Sequence, residues 1–167
     1  MAEVPEIRRH LAFAAEHFAD PRVAGWHWPG RLGGPRTHDQ VRERLRVQSF
    51  QHARDGYTLW MWRELDSGAL VGQVGLQPAD VDGEAVVEVG WSVVPERWGE
   101  GLATEAAAAS IAWGFDRARL PQLVSFAMVE NAPSIRVMQK LGMTYEREFM
   151  RAGTPHVLYR LQAPEIG

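Results

Sequence analysis

Two glycines one residue apart, Gly99 and Gly101, lie in the stretch VVPERWGEGLATEAAAAS, Val93 to Ser110, between a β-branched run and an alanine-rich segment. A strand that turns directly into a helix leaves the first N–H groups of the helix unpaired. It aims them, with the positive end of the helix dipole, at one spot. A phosphate fits there. Glycine lets the backbone approach an anion with no Cβ in the way, and Ala103 and Thr104 keep the first turn small while adding a hydroxyl donor. A tight strand-to-helix turn with no ligand would use the same glycines. Two other phosphate loops are excluded, because no Lys-Ser/Thr pair follows the glycines and no third glycine completes a dinucleotide fingerprint. Nucleotide hydrolysis and hydride transfer lose their main support.

Three more residues could do chemistry. Asn131 and Ser134 stand one helical turn apart at the start of a helix, with Pro133 suited to its first turn, so both can face the open ends of neighbouring strands or simply cap the helix. Glu88, in VVEVGW, precedes Gly90 by two positions, which puts its carboxylate on the same strand face as Gly90. If that face opens on a cleft, Glu88 can accept a proton. An exposed or ion-paired strand residue is the alternative.

The elements that would position these groups follow from pattern and punctuation. Apolar residues at Ile7, Leu11, Ala14, Ala15 and Phe18 recur at helical spacing until Asp20-Pro21 stops them. Val23 to Pro35, VAGWHWPGRLGGP, reads as an irregular loop holding Trp26 and Trp28, side chains that could line a pocket or fill the core. A second helix, capped by Thr37 or Asp39, carries Val41, Leu45 and Gln48 with charges on its other faces, up to Asp55-Gly56. The period then changes to that of strands: YTLWMWREL, ALVGQVGLQ after Asp66-Ser67-Gly68, and EAVVEVGWSVV after Asp82-Gly83. A helix from Leu102 to Phe115, the buried strand QLVSFAMV, a helix from Ala132 to Leu141 and the strands MTYEREFMR and HVLYRLQ complete the chain. The order is two helices, three strands, helix, strand, helix, two strands, a mixed α/β sheet with a βαβ-like centre.

Composition narrows the function classes. At 167 residues and 46% hydrophobic content the chain suits a single domain, residues 1–167. A formal charge of -3 with no Lys/Arg run gives no drive toward nucleic acid. With no cysteine there is no disulfide, thiolate metal site or cysteine nucleophile, which suits a reducing cytoplasm. No apolar run approaches the roughly 18 residues that span a bilayer, and the N-terminus lacks the order of a signal peptide, so a cytoplasmic protein without membrane contact is expected. His10 and His17 can share a helix face but lack an acidic pair beside them, so no metal site is expected.

Taken together, EVGWSVVPERWGEGLATEA and ENAPSIRVMQKLGM resemble the acyl-CoA motifs of the Gcn5-related N-acetyltransferases, in the branch similar to ribosomal-protein N-terminal acetyltransferases. The loop of that branch, Trp-Gly-x-Gly-x-Ala, is matched by Trp98, Gly99, Gly101 and Ala103, and the resemblance covers most of Tyr57 to Leu161. It implies a mixed, mostly antiparallel sheet with a splayed central pair of parallel strands and about four helices. It also implies a direct acetyl transfer from acetyl-CoA to a primary amine, a protein N-terminus or a small molecule, in a ternary complex.

The resemblance further implies roles. The backbone of Trp91, Ser92 and Val93 pairs with the pantetheine amides as an added strand would. Trp98, Gly99, Glu100, Gly101, Leu102, Ala103 and Thr104 hold the pyrophosphate. Asn131 binds pantetheine, Ser134 donates to the departing sulfur and touches the cofactor, and a bulge at Gly90 splays the strands. Trp26, Trp28 and Glu88 border the acceptor, with Glu88 the base. Two departures stand out: relatives open with a short strand for which Met1 to Glu6, containing Pro5, is too short, so the first strand is expected to be missing, and many members place a tyrosine acid where Met138 stands. The competing reading is an acyl-CoA-binding module without catalysis. A homodimer is compatible with either.

Overall fold

The computed structural model describes residues 1–164. Among them, strands β1 (Ala2–Glu3), β2 (Leu59–Arg63), β3 (Leu70–Val81), β4 (Glu84–Val93), β5 (Gln122–Met128), β6 (Thr144–Arg151) and β7 (Thr154–Gln162) form one sheet in the order β1-β2-β3-β4-β5-β7-β6. Every neighbouring pair is antiparallel except β4 and β5. Helices α1 (Ile7–Ala19), α2 (Pro21–His27), α3 (His38–Asp55), α4 (Leu102–Asp116) and α5 (Ala132–Lys140) complete the fold.

Period-2 alternation assigns the two faces of the sheet. Trp60, Val74, Leu76 and Val89 pack with Ala106, Ala107 and Ile111 of α4 and Met138 of α5. Their neighbour Met61 points the other way, into a second core with Ala14 and Phe18 of α1, Val23 of α2, and Val41 and Leu45 of α3. Glu88 and Gly90, flanking Val89, therefore face the side that carries α1, α2 and α3. Their carboxylate-and-glycine face is as the alternation of VVEVGW implies.

Three expectations need correction. The first strand is present: two residues are enough, because Ala2 and Glu3 need only the free edge of β2, where they pair with Trp62 and Met61. Glu3 is then held by Arg63 at 3.0 Å and His10 at 2.9 Å. The start of the segment expected to be an irregular loop is instead part of α2, which makes five α-helices where about four were expected. Pro21, which reads as a helix stop, begins this helix in the position where a missing N–H costs nothing, and Asp20 caps it by accepting from Arg22 N at 2.8 Å. Finally, β4 pairs with β3 in unbroken register from Glu84 to Val93, straight through Gly90. No bulge interrupts it. The splay arises on the other edge, where β4 and β5 share only the pair Glu88↔Val124 before separating.

Two glycines facing each other across the β3–β4 ladder differ in what they allow. A Cβ at Gly75 would lie 2.1 Å from the carbonyl oxygen of Thr58, whereas one at Gly90 meets nothing closer than 3.5 Å. Gly75→Ala is expected to cost about 1–3 kcal/mol of stability, and Gly90→Ala to stay within about 0.5 kcal/mol of wild type. Urea denaturation of both variants checks this. Among the described residues no helix is long and apolar enough to cross a membrane.

Candidate functional site

A cavity of about 490 Å³ opens where β4 and β5 part. Its walls include Glu88, Gly90, Trp91, Ser92 and Val93 from β4, the loop and first turn from Trp98 to Thr104, and Asn131 and Ser134 from the start of α5. The sequence-expected groups are thus brought together, at the carboxyl ends of two diverging parallel strands, where α/β sheets place ligands.

The loop is built to present backbone. Gly99 and Gly101 adopt φ of 86° and 85°, which glycine tolerates and L-residues rarely do, and no atom lies within 4 Å of a Cβ placed at either. Gly101 is the N-cap of α4, with no side chain capping the helix, and the first helical bond runs from Glu105 N to Gly101 O. The N–H groups of Gly99, Glu100, Gly101, Leu102, Ala103 and Thr104 have no protein acceptor among the described residues. They are available to an anion. Side chains brace the loop from outside: Arg97 binds Glu64 at 2.7 Å and Glu100 at 2.6 Å, and the Trp98 indole donates to Val93 O at 2.7 Å. Glu100 is therefore turned toward Arg97 and offers a ligand only its backbone. The positive φ at Gly101 also means that a valine there would strain the turn.

At the start of α5, Asn131 is buried and its Oδ1 accepts from Ser134 N at 3.2 Å, so the cap expected from the sequence forms. Its side-chain NH₂ remains a donor. The indole Nε1 of Trp91 donates to Ser134 Oγ at 3.3 Å, leaving the hydroxyl proton free to be given elsewhere. Met138 is fully buried in the core and brings no proton. Ser92 is held from the other side, with its Oγ 2.7 Å from Nε2 of the buried His17. Burial pushes that histidine down to about 4, so it is neutral at pH 7.

Glu88 is buried, with 9% of its surface exposed. Gln77 Nε2 donates to its Oε2 at 2.8 Å, and its Oε1 lies 3.5 Å from where a Gly90 Cβ would stand. Burial pushes the carboxyl up to about 7, against the opposing pull of the Gln77 hydrogen bond and of the Arg151 and Arg44 charges. It can hold or release a proton near neutral pH. Trp26 stands exposed on the same cavity, and Trp28 lies half-buried with the Arg36 guanidinium 4.2 Å above its ring.

Sequence reasoning missed several wall residues: Arg44, Gln77, Arg151 and His156. Arg44 belongs to the inward face of α3, not to the charged faces, and continues there as the buried Gln48 and Gln51. Its spacing from Gln48 was the available signal. His27, expected to matter only as part of a loop, is pushed by burial and by the Arg44 charge down to about 3, too low to serve as a base.

Residues 6–144 match a family model described as an acetyltransferase (GNAT) domain. By sequence the chain is similar to the uncharacterized protein YkkB of Bacillus subtilis (strain 168), at 28% identity over 142 residues covering 85% of this chain and 80% of YkkB. Two solved structures share the fold. The ribosomal-protein-S5-alanine acetyltransferase of Vibrio fischeri superposes with a TM-score of 0.77 at 19% identity, covering 97% of this chain and 92% of that one. The protein yncA of Salmonella typhimurium, solved with its cofactor acetyl-CoA, gives 0.75 at 20% identity, with 100% and 95% covered.

Proposed function

Because the chain belongs to the GNAT acetyltransferase family and is an N-acetyltransferase, we propose that residues 1–167 act as one domain that moves the acetyl group of acetyl-CoA directly to a primary amine in a ternary complex. The observation that carries this reading is the single cavity that joins unpaired loop N–H groups, a parted pair of parallel strands and a buried carboxylate. The residues fit the cosubstrate. The loop from Trp98 to Thr104 would receive the pyrophosphate on the backbone N–H groups of Gly99 to Thr104, the free edge of Trp91, Ser92 and Val93 would pair with pantetheine amides, and the Asn131 NH₂ would donate to a pantetheine carbonyl.

Bound acetyl-CoA supplies a thioester carbon at which an N–C bond forms and a C–S bond breaks, releasing a thiolate. Glu88 takes the proton that the ammonium of the acceptor must lose, directly or through water. As the tetrahedral adduct collapses, Ser134 relays to the departing sulfur the second proton that the attacking nitrogen loses, and the Trp91 indole, donating to its oxygen, keeps the hydroxyl in place for that relay. Trp26 and Trp28 flank the acceptor entrance. A module that only bound acyl-CoA would have no use for a carboxylate buried at this cost.

Asn131 and Ser134 separate the roles experimentally. Ser134→Ala is expected to lower kcat roughly tenfold or more while the Kd for acetyl-CoA stays near wild type. Asn131→Ala should instead weaken acetyl-CoA binding, and loss of the cap should cost about 0.5–2 kcal/mol of stability. Steady-state kinetics with calorimetric titration reads both. Wild-type turnover by Ser134→Ala at saturating acetyl-CoA would leave Ser134 as a cap-region residue only.

A further inference from the structure

We infer that the acceptor is a small primary amine that also carries a carboxylate, an amino-acid-like zwitterion, and that Arg44 is the residue that receives the carboxylate. This rests on the acetyl-transfer reading and deepens it.

Arg9, Arg22, Arg46, Arg54, Arg63, Arg97, Arg147 and Arg160 each have a carboxylate within 4.0 Å. Of the cavity-lining arginines, Arg44, Arg136 and Arg151 form no such pair among the described residues; Arg136 stands on α5, whereas Arg44, on α3, and Arg151 act on the charge of Glu88. The acceptor that Arg44 meets is the neutral side-chain amide of Gln73, at 3.3 Å, and its guanidinium otherwise meets the rings of Phe18 at 5.2 Å and Trp28 at 5.6 Å. Arg151 lies 5.0 Å above the Phe126 ring.

A half-buried guanidinium that meets an amide and two aromatic faces, and feels a carboxylate only at a distance through Glu88, keeps donors that a bidentate carboxylate would satisfy. Burial lowers its pKa only to about 10, so it remains a cation at neutral pH. Glu88 is the buried carboxylate on this part of the wall, with Asp80 exposed at its margin. An ammonium at Glu88 and a carboxylate at Arg44 would both be complemented. A polyamine would bring its further positive charges against Arg44 and Arg151, and an internal peptide carbonyl would leave the guanidinium without an anion. Trp26, Trp28 and Phe126 offer apolar surface for a side chain.

The test compares acceptors on the wild-type protein at saturating acetyl-CoA: apolar amino acids, the same compounds as carboxamides, and a polyamine. The acids are expected to exceed their amides in kcat/KM by roughly ten- to a hundredfold. Arg44→Gln should abolish that preference with the Kd for acetyl-CoA unchanged, and Arg44→Lys should restore part of it. Amides or polyamine acetylated as fast as the acids would overturn the zwitterion assignment while leaving acetyl transfer standing. No acetylation of any amine would overturn both. If Arg44→Gln does not fold, the acid-to-amide ratio of the wild type decides alone.

Discussion

Glu88→Gln is expected to slow acetyl transfer about a hundredfold or more at pH 8 and to erase the rise in rate expected of wild type as pH passes through about 7. The glutamine keeps the size of the side chain but cannot take a proton. The same substitution has a stability signature that does not depend on any substrate. A carboxyl whose native value lies near 7 and whose unfolded value lies near 4.5 holds more protons folded than unfolded between those pH values. Native stability from this group is therefore fully present below about 4.5 and falls as pH rises through 7. Glu88→Gln should match wild type at pH 4.5 and exceed it at pH 8, by at most about 3 kcal/mol. Urea melts at the two pH values measure this. A pH-independent difference would mean that Glu88 ionises as freely as in the unfolded chain, and an unchanged acid limb in the rate profile would remove it as the base.

The second large effect concerns the loop. Ala103→Glu places a carboxylate in the first turn of α4, where the helix dipole welcomes it, so stability should hold or rise by about 0.3–1 kcal/mol. Acetyl-CoA affinity should nevertheless fall roughly ten- to a hundredfold, because the new charge stands where the pyrophosphate would lie. Ala103→Gln separates bulk from charge and should lose much less. Binding isotherms at low and moderate salt test this, since screening should recover part of the loss in Ala103→Glu and not in Ala103→Gln. Equal losses in the two variants would attribute the effect to space alone.

Both predictions use features that the sequence exposes directly. Trp98, Gly99, Gly101 and Ala103 are legible because a left-handed turn at a helix start leaves little choice of residue. Glu88 and Gly90 are legible because strand alternation has a fixed period of two. The acceptor wall was not. Arg44, Gln48 and Gln51 form a polar line on the buried face of α3, so hydrophobic periodicity assigns that face poorly. A two-residue strand such as β1 shows no alternation at all, and in α2 the residues Pro21 and Gly25 read as breakers although the first opens a helix and the second is tolerated within one. The regular register through Gly90 shows that the parting of β4 and β5 needs no insertion in β4.

The most direct measurement of the central claim is to incubate the purified protein with acetyl-CoA and a panel of primary amines, following free thiol and the mass of each amine together. Thiol released in equal amount to singly acetylated amine, at a rate that saturates in both substrates and falls in Glu88→Gln, is the expected result. Tight acetyl-CoA binding with no amine acetylated above the uncatalysed rate would contradict it, and would return the chain to a module that binds the thioester without using it.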